Sequence, residues 1–291
     1  MSAPAETRPL YWSVRREIWE NRSLYIAPIV VAGVALFAVL IHSIHLARRI
    51  RTLAALDAAK QGRAIVMPYS MTASVIILTT FIVGVFYCLD ALYGERRDRS
   101  ILFWKSMPVS DRTTVLAKTC VPLVVLPVLA CAISLATQLI ILILNTMTLI
   151  GSGVNPIELW SRLPLASMTL VMLYGVTAHA LWFAPIYSWL LLVSAWARRA
   201  TFIWAMLPIF ALYVLEKLSL GTSLVPSFLK YRLQGAMLTA FEVDAGNNPI
   251  TRLTSLTPLK FLSSPGLWIG LAFAAACLVA AARLRRNREP I

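Results

Sequence analysis

Residues able to do chemistry are sparse in this chain. Its three histidines are His42, His45 and His179. His42 and His45 are three positions apart and share one face of a helix, the spacing two metal ligands need, but no nearby carboxylate completes a set. The four cysteines, Cys88, Cys120, Cys131 and Cys277, lie in or beside apolar runs without CxxC spacing and read as small buried hydrophobes. A GxxxxGK[ST] loop would cradle nucleotide phosphates on backbone N–H groups, and the sequence has none. HExxH and GxSxG are missing as well. No catalytic, cofactor or metal site is therefore expected on this chain.

What remains are polar residues inside apolar surroundings: Asp90, Gln138, Asn145, His179 and Glu216. Ionisable or strongly polar groups are costly at membrane depth, so each is a candidate for function. His179, Gln138 and Asn145 are the candidates for a substrate path. Asp90 lies within a turn of a charged segment, where Arg96, Arg97 or Arg99 can neutralise it.

The most informative stretch is residues 90–119, DALYGERRDRSILFWKSMPVSDRTTVLAKT. Gly94 can end a preceding helix. Glu95, Arg96, Arg97, Asp98 and Arg99 form a mixed-charge cluster. Ile101, Leu102, Phe103 and Trp104 then make an apolar group that nothing in the short loop can bury. Pro108 stops a helix, and Ser110 and Asp111 can cap the next. An apolar aromatic patch ringed by charge, including Lys105, marks a docking surface, with an interfacial helix packed on lipid as the alternative.

Long apolar runs must carry these residues. Of 291 residues 59% are hydrophobic and 14% charged, against about 45–50% and about 25% in soluble domains. A spanning helix needs about 20 apolar residues, and several runs meet that length. The expected fold is an all-α integral membrane protein with about six transmembrane helices, at 24–45, 70–93, 120–150, 163–196, 200–215 and 265–282. Pro122 and Pro127 should kink or break the third near its start, and Pro185 can bend the fourth. Residues 1–23 form the N-terminal part, where Trp12 and Trp19 among Arg15, Arg16 and Arg22 suit an amphipathic helix at the interface. Residues 94–119 form a cytoplasmic coupling segment. The outer loop 216–264 is broken by prolines and is open to two readings, segments dipping into the membrane or a folded surface loop.

The formal net charge of +14 lies mostly beside the apolar runs, which fits anionic headgroups and excludes a nucleic-acid patch. With both termini cytoplasmic, the inner segments hold 16 of the 27 Lys and Arg residues. Arg48, Arg49, Arg51, Lys60 and Arg63 oppose that orientation, and are expected to extend the first two spans as helix above the membrane.

The run Tyr93 to Ser106 with Pro108-Val109-Ser110 resembles the ABC-2 type of ABC-transporter permease. Ala184 to Arg199 and Trp204 to Pro208 are similar to it too. The resemblance covers residues 9 to 285 and implies a six-span subunit in a bacterial plasma (inner) membrane. Such a subunit pairs with a second permease copy and with separate ATPase subunits that hold ATP and Mg. It further implies that the loop after the second span inserts into a cleft on the ATPase, and that the last outer loop carries short re-entrant helices. No cargo is named by it. Rival readings are a partner-independent secondary transporter or channel, a membrane-embedded enzyme, and a non-transporting scaffold. Scarce intramembrane polar groups argue against the first two.

Overall fold

The computed structural model describes residues 8–43, 58–106, 109–151, 157–219, 221–242 and 253–287. Pro108 and His45 lie outside them, as do Arg48, Arg49 and Arg51 of the basic loop; the side chains of Lys60, Arg63 and Lys105 do so too. The described residues are helical almost throughout, with one isolated antiparallel bridge, Phe241 to Leu256.

Helix α1 (Pro9–Glu20) begins with proline at its first position, where the missing N–H costs nothing. Next come α2 (Ser23–Ser43) and α3 (Ala58–Asp90). Helix α3 starts twelve positions before the expected second span, as the extension of that span by helix requires. Two short helices come after it, α4 (Tyr93–Arg97) and α5 (Ser100–Ser106). Helix α6 (Asp111–Cys120) is capped by Ser110, whose hydroxyl accepts from the Thr113 N–H at 3.1 Å. It passes through a π-helical turn at Val121–Val125 into α7 (Leu126–Gly151). That wider turn is the break expected from Pro122 and Pro127: the Leu126 N–H reaches back to Val121 instead of Pro122.

After α8 (Ile157–Arg162) comes α9 (Leu165–Trp196), which runs unbroken through Pro185. The Leu181 carbonyl opposite Pro185 loses its usual helical donor, yet tertiary packing holds the helix together. Helix α10 (Thr201–Ser219) leads to α11 (Leu224–Ala240), a 3-10 turn at Leu253–Ser255, α12 (Pro258–Leu262) and α13 (Pro265–Asn287).

Among the described residues, six helices are long and apolar enough to cross a membrane. They are Ser23–Ser43, Ile65–Arg97, Asp111–Gly151, Leu165–Trp196, Thr201–Ser219 and Pro265–Asn287. The protein is thus an all-α, multi-pass membrane protein. Helix α3 shows the physical pattern: Met71, Val75, Leu78, Ile82 and Phe86 form an exposed stripe, while Thr72, Ile76, Thr80 and Tyr87 are buried. The apolar side faces out because lipid is its solvent. Helix α9 is central, with 67% of its most apolar stretch buried, whereas α10 at 11% is peripheral. One core gathers Trp182, Phe183, Tyr187, Leu190 and Leu191 of α9 against Tyr87 and Cys88, and a second joins Tyr69 to Ile141, Leu142, Leu149 and Met168.

Candidate functional site

Helix α3 does not end at Gly94 as expected. It stops at Asp90, because the Leu92 and Tyr93 N–H groups turn to the Ser194 hydroxyl at 3.0 and 2.9 Å. Gly94 instead sits inside α4, where a Cβ would lie 3.1 Å from the Asp90 carboxylate. Arg96, 3% exposed, donates to the carbonyls of Ser194 at 2.9 Å and Ala197 at 2.5 Å. These carbonyls close the last turn of α9, so one guanidinium fixes the loop to the central helix. Gly94, Glu95 and Arg96 are therefore buried supports, not the rim of a docking surface.

The exposed part begins at Arg97. Its guanidinium lies 3.5 Å from Asp90 and 2.9 Å from Asp98, and all three side chains stay exposed. Arg99 takes a left-handed φ of 57° to turn the chain between α4 and α5. On α5, Ile101 is buried, while Leu102 and Phe103 are 58% and 59% exposed. The Phe103 ring meets Trp104 edge-on at 4.9 Å. Trp104 is half-buried because the Arg16 guanidinium lies over its ring at 3.8 Å.

Behind this edge sits a cluster of buried charge. Lys118 of α6 lies 2.9 Å from Glu17 of α1 and 3.0 Å from Glu95 of α4. Arg16 contacts both carboxylates, at 2.8 and 3.4 Å. Arg285 of α13 bridges Glu95 at 2.9 Å and Asp111 at 2.5 Å. The Tyr87 hydroxyl donates to Glu17 at 2.8 Å. Burial pushes the Glu17 carboxyl up, but Lys118 and Arg16 outweigh it and hold the carboxyl below its ordinary range. The three carboxylates balance Arg16, Lys118 and Arg285, as burial demands. Helices α1, α3, α4, α6 and α13 thus converge behind the Leu102–Phe103 edge. Helix α1 keeps Trp12 and Trp19 outward, as an interfacial helix would, and turns Glu17 inward.

The membrane-depth candidates divide. Gln138 and His179 line one cavity of about 300 Å³. Asn145 lines another, of about 780 Å³, together with His42. Both amides are held by α3: Gln138 Nε2 donates to the Tyr69 carbonyl at 3.4 Å and Asn145 Nδ2 to the Tyr69 hydroxyl at 3.0 Å. Glu216 is a cap, accepting from the Thr222 hydroxyl and from the Leu224 and Val225 N–H groups at the start of α11. Among the described residues no group of three or more His, Cys, Asp or Glu could hold a metal ion.

Between α10 and α13, α11 crosses α9 near its middle. The Trp182 indole donates to the Arg232 carbonyl at 2.8 Å, and Arg232 returns a bond to the Trp182 carbonyl and another to Gly266 at 3.1 Å. Trp182 lies about 21 Å along α9 from Trp196, at about 1.5 Å per residue.

No protein-family model matches the chain, and no curated protein matches it in sequence.

Proposed function

We propose that the chain is the membrane-spanning permease subunit of an ATP-driven exporter in a bacterial plasma membrane. In this reading ATP and Mg belong to a separate ATPase, and a second permease copy completes the pathway. The observation that carries the proposal is the Leu102–Phe103 edge, presented on a helix too short to bury it and braced from behind by paired charges. An exposed apolar edge on a rigid base is what a partner cleft requires. The resemblance of residues 93–110 to ABC-2 permeases supports the same reading.

The bracing indicates how movement would travel. Displacing α5 shifts Glu95 and Trp104, which are tied to α1 and α6 through Arg16 and Lys118 and to α13 through Arg285. Arg96 carries the same displacement into α9. The ends of four elements then move with the docked helix.

The test is co-purification with a P-loop ATPase encoded alongside the chain. Phe103→Ala combined with Trp104→Ala should abolish the complex, or uncouple hydrolysis from transport, while membrane insertion is retained. Normal transport by the double variant would sink the docking assignment.

A further inference from the structure

The cavity between α3, α7, α9 and α11 has the chemistry of a binding site. Its volume of about 300 Å³ falls at the lower end of small-molecule pockets, about 300–1,000 Å³. Gln138, 2% exposed, uses its Nε2 on the Tyr69 carbonyl, which leaves Oε1 as a buried acceptor without a partner. His179 presents a second such atom, Nε2, equally buried and unpartnered. Its ring is fixed by stacking on Phe183 at 4.0 Å and by the edge of Phe81 at 5.2 Å. Two unpaired buried polar atoms on residues lining one cavity are costly unless a ligand meets them.

The remaining wall defines what fits. Among the described residues no Asp, Glu, Lys or Arg lines the cavity, so a charged ligand would lose its hydration without gaining a counterion. Met168, Met172 and Met237 supply unbranched thioether side chains that adapt to irregular apolar shapes. Phe241 closes the outer-segment side against Gly175, where a Cβ would come within 3.1 Å of its ring.

We propose that this cavity binds a neutral, largely apolar small molecule carrying at least one hydroxyl or N–H group, which donates to Gln138 Oε1. A ligand that carries a second such group donates it to His179 Nε2. As a substrate site, the assignment rests on the transporter reading; as a binding site, it stands without it.

The probe is N-phenylnaphthylamine, a neutral aromatic amine with one N–H, whose fluorescence rises in apolar surroundings. Binding is measured on the purified chain in nanodiscs with no ATPase present, after subtraction of empty nanodiscs. Saturable binding should appear, and Gln138→Leu should weaken it about tenfold. Met172→Trp, which fills the cavity and spares the Gln138 hydrogen bond, should abolish it in protein that still elutes as a single species. The N-methylated amine should bind about tenfold less well, and anilinonaphthalene sulfonate, which adds a fixed negative charge, should not bind saturably. Equal binding to the wild type and Met172→Trp, or equal binding of the sulfonate, overturns the proposal. Saturable binding by a chain that forms no ATPase complex would overturn the transporter reading and leave the site; an ATPase complex without binding would do the reverse.

Discussion

Lys118 is the residue on which the buried charge cluster turns, since both Glu17 and Glu95 lie within 3.0 Å of its ammonium. Replacing it by methionine keeps the bulk and leaves two buried carboxylates short of a cation. Lys118→Met should lower stability by about 3–5 kcal/mol, read from thermal unfolding in detergent. Adding Glu17→Gln should restore part of that loss; additive losses would mean the two residues are not coupled. Glu17 also sets a pH dependence. Its carboxyl titrates below the 4.5 of a free glutamate, so its contribution is complete above that pH and is lost as acid titrates the folded form. The unfolding midpoint should hold from roughly pH 8 to about pH 5 and fall below, with a smaller fall in Glu17→Gln. Little of this was legible in the sequence. Glu17, Lys118 and Arg285 are each unexceptional locally, and only the fold brings them within bonding distance. The one local signal was a lysine two residues before a long apolar run, which reads equally well as a flanking charge. Arg96 misled for the same reason: its burial depends on carbonyls a hundred residues away.

At the scale of elements, the contact between α11 and α9 depends on a small residue. A Cβ on Gly235 would lie 2.5 Å from the Trp182 ring, and the ring is fully buried. Gly235→Leu should therefore push α11 away from α9 and cost about 1–3 kcal/mol, with faster hydrogen exchange across 224–240. Unchanged exchange there would mean the contact does not hold α11 in place. The sequence pointed toward this region through Pro226, Pro249, Pro258 and Pro265, which break apolar pieces into lengths too short to span. It did not reveal a 17-residue helix, because Lys230, Arg232 and Pro226 interrupt the apolar pattern that marks one. The long spans were legible because bilayer thickness demands a minimum apolar length, and that length is visible without tertiary information.

For the whole molecule, the exposed surface of α2, α3 and α10 is apolar along most of its length, as in Phe37, Ile82 and Phe210. Among the described residues, charge is gathered instead around α1, α4, α6 and the end of α13. With that face cytoplasmic, a cysteine at Trp12 should react with a membrane-impermeant maleimide only from the cytoplasmic side, and one at Glu242 only from the outside. Labelling of both from the same side would overturn the orientation. Exposed Leu102 and Phe103 belong to this charged face, which is where an ATPase would approach.

The charge cluster also constrains biogenesis. Glu17, Glu95 and Asp111 are made well before Arg285, which follows even Asp111 by 174 positions. Until then the nascent chain holds three acids against two bases at that point, so those acids must stay hydrated and α1, α4 and α6 cannot close together. Insertion of α13 supplies the missing cation and completes this charged face. The edge formed by Leu102 and Phe103 thus takes its final shape only after Arg285 has joined Glu95 and Asp111.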